Sequence, residues 1–264
     1  MLKRIALCVA VTAVFALPAA AQTVDEIIAK STAARGGEAK LRAVKSIRLT
    51  GHVEVGPGMV APMTLVIKRP GMVRMEFTIQ GMTAIQAYDG KTGWGVMPFQ
   101  GKKDAEPMSA DDVKEMEDQA DLDGPLMDYK AKGHTVEYLG KDKVEGSDAY
   151  KLKVTKKNGT IETSFIDADS GLEVKSITKT KIRGNEAEIE TVYTDFRDVH
   201  GLIFPFSLEQ GALGSPQKQK ITIEKVEINP DLIDGQFQMP APAPAEAPKP
   251  DAKPAEKPGA SQRR

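Results

Sequence analysis

Residues 67–99 read IKRPGMVRMEFTIQGMTAIQAYDGKTGWGVMPF and contain three short strand patterns joined by tight turns. Within residues 72–80 the side chains alternate, with apolar groups at the odd positions from Val73 to Ile79 and polar groups between them. This period of two predicts an antiparallel strand with one apolar face and one solvated face. The function of the protein therefore depends on what covers the apolar face.

The same period extends to both sides of this stretch and predicts twelve strands. They lie near residues 46–55, 62–69, 72–80, 82–88, 93–99, 135–144, 148–157, 160–167, 172–183, 186–198, 202–210 and 217–228. Short connections rich in turn residues, such as Asn158-Gly159, favour antiparallel hairpins between neighbouring strands.

Four segments have helical signals. Thr23 and the acids after it predict an amphipathic helix that ends at Gly36-Gly37, and residues 38–44 predict a shorter helix. Ser109 predicts the start of a central helix that runs to about Asp121, and Gly124-Pro125 predicts the start of a second one. The combined pattern predicts a mainly β (α+β) fold: a curled antiparallel sheet that forms an unclosed barrel of about 11–12 strands, with helices plugging its concave face.

The two ends of the chain differ from this body. Residues 1–21 have the charged start, apolar middle and small-residue end of a secretory signal peptide, which also contains the only cysteine, Cys8. Residues 240–264 are rich in Pro, Ala and Lys, and we expect a disordered tail. One domain is therefore predicted at residues 22–239. No other apolar run is long enough to enter a membrane, so an integral membrane protein is not expected.

Composition and motifs disfavour several function classes. The formal net charge of −1, without a basic stripe, disfavours a nucleic acid partner. His52, His134 and His200 are isolated, so no metal site is predicted. Gly90-Lys91-Thr92 lacks the glycine and the following helix of a phosphate-binding loop, and Asp167–Gly171 fits a hairpin turn better than a calcium loop. We therefore expect a binding protein without catalytic residues or cofactors, not an enzyme.

Two motifs at their observed spacing resemble the LolA family of periplasmic carriers, which ferry lipoproteins between the two membranes of Gram-negative envelopes. They are Lys68-Arg69-Pro70, and Asp89-Gly90-Lys91-Thr92 followed by Trp94 and Pro98. The stretch Tyr193–Phe206 also resembles the broader lipoprotein-sorting group. The chain departs from the usual pattern in its block of hairpins after residue 140, in its tail and in its few aromatic residues.

The resemblance implies an unclosed barrel with a helical lid over an apolar cavity. It also implies that Arg69 holds the lid through hydrogen bonds to backbone carbonyls, which suits the several donors of a guanidinium. The alternative is that Arg69 is a polar residue at a strand end before a turn proline. The expected location is the periplasm, reached by means of the cleavable signal peptide.

The expected function is a periplasmic carrier that binds the acyl chains of lipoproteins or other lipids for transport to the outer membrane. The alternative is an envelope sensor or regulatory protein that uses the same fold to bind a partner protein. Ordinary core packing is the competing interpretation for each methionine. The candidate cavity residues are Val73, Met75, Phe77, Ile85, Trp94, Met97, Phe99, Met116, Leu122, Leu126 and Met127.

Overall fold

The computed structural model describes residues 22–56, 58–182 and 185–241. The predicted signal peptide (1–21) and most of the predicted tail (242–264) lie outside these residues. Within the described ranges, no helix combines the length and the apolar character needed to span a bilayer.

In the described part of the chain, thirteen strands form a single antiparallel sheet. They are β1 (Ser46–Gly56), β2 (Met59–Lys68), β3 (Met72–Ile79), β4 (Met82–Tyr88), β5 (Gly93–Met97), β6 (Lys102–Pro107), β7 (Thr135–Val144), β8 (Ser147–Thr155), β9 (Ile161–Asp167), β10 (Glu173–Ile182), β11 (Asn185–Val199), β12 (Leu202–Ala212) and β13 (Gln219–Ile228). The spatial order is β6-β5-β4-β3-β2-β1-β13-β12-β11-β10-β9-β8-β7. Because β6 and β7 are free edges, the barrel is not closed, and the predicted fold class is confirmed.

Three α-helices accompany the sheet: α1 (Val24–Ala34), α2 (Glu38–Ala43) and α3 (Ala110–Gln119). Two 3₁₀ turns are also present, at Pro98–Gln100 and Asp234–Gln236. Thr23 and Glu26 form the capping box that starts α1, and Ser109 caps α3 through the backbone N–H of Asp112. These helices begin where their capping residues predict.

The chain between α1 and α2 packs closely on the turn between β11 and β12. Gly36 has a φ of 119°, and a Cβ atom placed there would lie 2.3 Å from the carbonyl oxygen of Gly201. The backbone N–H of Ile203 also donates to the carbonyl of Arg35 at 3.1 Å. A glycine is required at position 36 because neither this conformation nor this contact admits a side chain.

Strand β6 was not predicted from the sequence. Its residues, KKDAEP, are mostly charged and show no apolar alternation. The strand lies at an edge of the sheet and pairs only with β5 among the described strands. Charged side chains and proline are typical of sheet edges, where they oppose pairing with another chain, and they hide the strand signal.

The second predicted central helix does not form, and residues 121–134 wind through consecutive turns instead. Gly124, Asp128 and Gly133 all have left-handed backbone conformations, with φ values of 76°, 56° and 76°. These conformations are incompatible with a continuous right-handed helix. Residues 108–134, which contain α3 and these turns, connect the two edge strands β6 and β7.

Candidate ligand-binding site

The strand register determines which side chains face the helices. Val73 of β3 pairs with Ile67 of β2 and with Tyr88 of β4, and paired residues share a face of the sheet. Gly93 pairs with Tyr88, and a Cβ atom at Gly93 would lie 3.0 Å from the side chains of both Met108 and Val113. We call this helix-covered side the concave face.

A tightly packed group of apolar residues lies between the concave face, α2 and α3. We call it the apolar cluster. Val73 is fully buried in it, and Met116 of α3 is 2% exposed. Leu49, Leu65 and Leu122 pack against its border. Its buried members are Leu41, Val44, Ile47, Ile67, Val73, Tyr88, Met116, Ala120, Met127 and Leu202. The helices therefore fill the apolar part of the concave face with their own side chains.

Arg69, directly after β2, connects the elements that cover this cluster. Its guanidinium donates to both carboxylate oxygens of Asp123, at 2.6 and 2.7 Å, in the paired geometry that suits arginine and a carboxylate. It also donates to the carbonyl of Val44 at 2.7 Å and to that of Leu41 at 3.4 Å, at the C-terminal end of α2. We call this arrangement the Arg69–Asp123 clamp.

Asp123 also receives a contact from α1. The Arg35 side chain donates from Nη1 to the carbonyl oxygen of Asp123 at 2.9 Å. The hydrogen bonds from Arg69 hold the pKa of the buried Asp123 carboxyl below its ordinary value, although burial opposes this shift. Arg69 therefore joins the end of β2 and α2 to the ionised Asp123 carboxylate in the turns after α3, and Arg35 connects the end of α1 to the Asp123 carbonyl.

A cavity of about 740 Å³ lies between α3 and strands β9–β12, and we call it the larger cavity to distinguish it from a second one of about 190 Å³. Most of the residues that line the larger cavity are polar or charged, with threonines and carboxylates predominant, although polar and apolar atoms share its surface about equally. The α3 residues that line it include Asp111, Asp112, Glu115 and Asp118, and the strand residues include Glu162, Thr178, Thr191, Glu188 and Gln210. None of the candidate residues chosen from the sequence lines this cavity. Its chemistry does not resemble that of an acyl-chain pocket.

Buried charges hold α3 against the strands beside this cavity. Lys156 is 9% exposed and forms salt bridges with Asp118 of α3 at 3.1 Å and with Glu162 of β9 at 2.9 Å. Burial opposes the charge of Lys156, but the two carboxylates raise its pKa. Asn158 also donates to Asp118 at 2.9 Å. This network fixes the C-terminal half of α3 to the sheet.

A smaller cavity of about 190 Å³ lies between α1, residues 124–127 and strands β10–β12. Most of its wall is apolar and consists of Ile28, Pro125, Leu126, Met127, Leu172, Phe196, Ile203 and Pro205. Arg35, Glu173 and Tyr193 supply ionisable groups to the same cavity. The Tyr193 hydroxyl lies 3.0 Å from that of Ser176. The clamp is next to this cavity: Arg35, which lines the cavity, also donates to the carbonyl of Asp123, and Gly124, which lines it as well, follows Asp123 in the chain.

Glu173 is the unusual group of this smaller cavity. Its Oε1 atom is buried and receives no hydrogen bond from any group in the described part of the chain. Burial raises the pKa of Glu173 to about 7, and the nearby charge of Glu162 adds to the shift. Arg35 lines the same cavity, but these two residues form no salt bridge with each other. The cavity therefore combines an apolar wall with two incompletely paired polar groups.

The candidate residues chosen from the sequence occupy several environments. Val73, Met116 and Met127 belong to the apolar cluster, and Leu122 packs against it. Leu126 packs beneath α1 with Ile27 and Leu152, and with Met127 it also lines the smaller cavity.

Further along β3 the concave face is less covered. Met75 and Phe77 are half-buried there, and the rings of Phe77 and Phe99 lie 5.6 Å apart. Phe99 is 36% exposed, and Met97 is half-buried at the end of β5.

Ile85 and Trp94 lie on the opposite face of the sheet from Val73. Ile85 pairs with Glu76, and Trp94 pairs with Ala87. The Trp94 indole donates to the carbonyl of Phe237 at 2.8 Å, so the segment after β13 covers this side. The two-residue turn Gln80-Gly81 fixes the register between β3 and β4. From this register, the sequence could have predicted that Ile85 and Val73 lie on opposite faces of the sheet.

Sequence reasoning did not select Arg35, Asp123, Lys156 or Glu173. Each is a single charged residue in a segment with many others, and its importance depends on partners far along the chain. No local signal identifies Lys156 or Glu173. Within the described ranges, no group of three or more His, Cys, Asp or Glu side chains is arranged to hold a metal ion.

Comparison with solved structures identifies the fold. A DUF1329 family protein from Desulfovibrio piger superposes with a TM-score of 0.58 at 11% identity, covering 81% of this chain and 97% of that one. A LolA superfamily protein from Nitrosomonas europaea gives a TM-score of 0.54 at 13% identity, covering 83% and 98%. The chain has a LolA-like fold. The resemblance inferred from the Arg69 and Asp89 motifs is thus confirmed at the level of fold.

A third LolA-like structure is described as an outer membrane lipoprotein-sorting protein domain from Vibrio parahaemolyticus. It has a TM-score of 0.54 at 11% identity and covers 81% of this chain and 97% of that one. No protein-family model matches the sequence, and no curated protein matches it either. At these identities the likeness concerns the fold alone.

Proposed function

We propose that this protein is a periplasmic carrier that binds the acyl chains of lipids or lipoproteins against its concave face. The observation that carries the proposal is the Arg69–Asp123 clamp, because it holds α2 and the turns after α3 over the apolar cluster. The LolA-like fold and the predicted signal peptide support the same assignment. The protein acts by binding, without catalysis.

The mechanism is a competition between the acyl chain and the helices for one apolar surface. In the closed form, Met116 of α3, Ala120 directly after it and Leu41 of α2 occupy that surface. Separating this ion pair, whose Arg69 side chain is 33% exposed, costs about 1.5–3 kcal/mol in charge-assisted hydrogen bonds. Burying an acyl chain contributes about 0.8 kcal/mol per CH₂ group, so about ten groups would exceed that cost. Release of the acyl chain is possible because, when the clamp closes again, α2 and α3 regain their own contacts in the apolar cluster.

Half-buried side chains on the concave face provide an entry for the chain. Met75, Phe77 and Phe99 extend the apolar surface beyond the part that α3 covers. An acyl chain could first contact these residues and then advance beneath α3 as the clamp opens. Transport to the outer membrane is the role that we assign to such a carrier.

The test measures binding of a fluorescent long-chain acyl probe to the mature protein and to Arg69→Lys. Lysine keeps the positive charge but loses the paired geometry with Asp123. We expect the variant to bind the probe about tenfold more tightly, because a weaker clamp raises the fraction of open protein. Arg197→Lys, in an exposed pair with Asp195, is the matched control and should bind like the wild type. Absence of probe binding in all three proteins would refute the carrier.

A partner-binding protein is the second candidate, and the larger cavity favours it. The polar lining and the carboxylates of α3 suit a basic peptide segment better than an acyl chain. The same measurement separates the two functions. A protein that uses the fold only to bind another protein should not bind the acyl probe, and weakening the clamp should not change that.

A further inference from the structure

The smaller cavity contains a buried acceptor without a donor. Glu173 Oε1 is enclosed by protein and receives no hydrogen bond from the described residues. Leaving such a group unpaired is costly, and natural structures contain few of them. The carboxyl is part of the cavity lining together with Phe196, Leu126 and Met127. A ligand group that donates a hydrogen bond would therefore satisfy it.

Arg35, in contrast, has hydrogen-bond donors that lack an acceptor among the described residues. A guanidinium has five N–H donors, and within the described part of the chain the Arg35 side chain makes one hydrogen bond, to the carbonyl of Asp123. Burial lowers the pKa of Arg35, while the nearby negative charge of Glu173 opposes that shift. Arg35 and Glu173 therefore lie near each other across the cavity without pairing. A ligand group that accepts a hydrogen bond would satisfy Arg35.

The size of the cavity limits the ligand. Its volume of about 190 Å³ is somewhat larger than the roughly 150 Å³ cavity, engineered in another protein, that holds a benzene molecule. Ile28, Ile203 and Pro205 complete its apolar wall. The space therefore admits a small polar head and the first few carbons of a chain. The adjacent Met127 also belongs to the apolar cluster, so a longer chain could continue toward that cluster.

We propose that the cavity between Arg35 and Glu173 binds the uncharged head of an amphiphile, a carboxamide or hydroxyl that donates to Glu173 and accepts from Arg35. Above the Glu173 pKa of about 7, where its carboxyl is ionised, a carboxylate head would be repelled by Glu173, and an ammonium head would be repelled by Arg35. The cavity therefore selects uncharged head groups that both donate and accept a hydrogen bond. The inference rests on the proposed function, because it names the head of the ligand whose chain the concave face would hold.

The experiment uses three six-carbon probes that differ in the head alone: hexanamide, hexanoate and hexylamine. Their binding to the mature protein is measured at about pH 8.5, where Glu173 is ionised, by calorimetry or by ligand-observed NMR. We expect hexanamide to bind about tenfold more tightly than either charged probe, since each charged head leaves one partner unsatisfied. Equal binding of all three, or no binding of hexanamide, would overturn the proposal.

Variants of Glu173 separate recognition from a merely structural role. In Glu173→Gln the repulsion of an anion is gone and the side-chain amide can donate, so hexanoate should gain about tenfold in affinity while hexanamide changes little. Glu173→Leu should lose hexanamide binding by about tenfold. Glu209→Gln, an exposed position on β12, is the control and should keep the wild-type preference. An unchanged preference in Glu173→Gln would contradict the assignment.

The long-chain probe distinguishes this inference from the proposed function. If the long-chain probe binds but the short probes show no preference for a neutral head, the carrier stands and the head-group site is wrong. If the short amide binds selectively but no long-chain probe does, the cavity is a site of its own and the carrier is wrong.

Discussion

The concave face of β1–β4 carries large apolar side chains, such as Ile47, Ile67 and Val73, and α2 and α3 pack directly onto it. The concave face of β9–β11 carries Ser164, Ser176 and Thr191 at positions that pair across the strands, and a cavity of about 740 Å³ remains nearby. Large apolar groups attract a covering helix, whereas short polar groups give a helix little to bury.

The comparison shows that the larger cavity and the apolar cluster lie in different parts of the concave face. The space that stays open beside α3 is lined mostly by polar and charged residues, and the helices already fill the apolar cluster. The proposed acyl binding would therefore require movement of the helices, and in that proposal the Arg69–Asp123 clamp restrains the movement. The two regions should respond differently to substitution, to pH and to ligand.

The largest effect of a single substitution is expected from Asp123→Ala. The change removes the carboxylate and leaves the Arg69 guanidinium with only the carbonyls of Leu41 and Val44. The free energy of unfolding should fall by about 2 kcal/mol, since charge-assisted hydrogen bonds are lost while the remaining Arg69 guanidinium is 33% exposed. Urea unfolding followed by circular dichroism measures this. Asp148→Ala removes an exposed partner of Lys143 and should leave the stability almost unchanged. Equal losses in both variants would mean that the clamp does not restrain the helices.

A comparable effect is expected from pH, through Glu173. Its pKa is about 7 in the folded protein and 4.5 when unperturbed, so the native state binds more protons than the unfolded state between these values. The contribution of Glu173 to stability therefore falls as pH rises from about 4.5 to 7, by up to about 3 kcal/mol. The groups that also influence this carboxyl are Glu162 and Ser164 on β9, Arg35 directly after α1 and Lys156 directly after β8.

Glu173→Gln tests this pH dependence. The free energy of unfolding of the wild type should fall relative to that of the variant between pH 5 and pH 7.5, because glutamine does not titrate. Chemical unfolding at a series of pH values gives both curves. Parallel curves would show that the carboxyl is not perturbed in the folded protein.

The smallest effect is expected from single residues at the uncovered part of the concave face. Phe99→Ser removes a ring that packs on Phe77, and it should weaken binding of the acyl probe about threefold to tenfold while changing stability little. Ile85→Ser, on the opposite face, is the matched control and should bind the probe like the wild type. A loss confined to Ile85→Ser would place the ligand on the other face of the sheet.

Local patterns predicted most of the fold. The alternation in β3, the capping residues Thr23 and Ser109, and the turn at Asn158-Gly159 each specify an element within a few residues, and the structure contains those elements. The two elements that were predicted incorrectly also have local causes. Strand β6 has the composition of a solvated loop, and the segment after Gly124 has apolar spacing like that of a helix although its backbone turns repeatedly.

The candidate site was predicted less completely. Val73, Met75 and Phe77 share one face, as the alternation requires, and Arg69 contacts the carbonyls at the end of α2. The positions of Ile85 and Trp94 depend on the pairing of β4 with its neighbours, which the alternation within one strand does not give. Asp123 acquires its properties from Arg69, which is 54 positions away in the chain. Glu173 acquires its raised pKa mainly from burial.

The sequence by itself determined an antiparallel sheet with one apolar face, helices before and within it, and an arginine suited to hold a helix end. Period and capping are short-range properties, and the chain carries them wherever it folds. Only the tertiary structure decided that α2 and α3 fill the apolar surface, that the open cavity is polar, and that Arg69 meets Asp123. Those outcomes depend on contacts between distant segments, whose packing and desolvation no local pattern encodes.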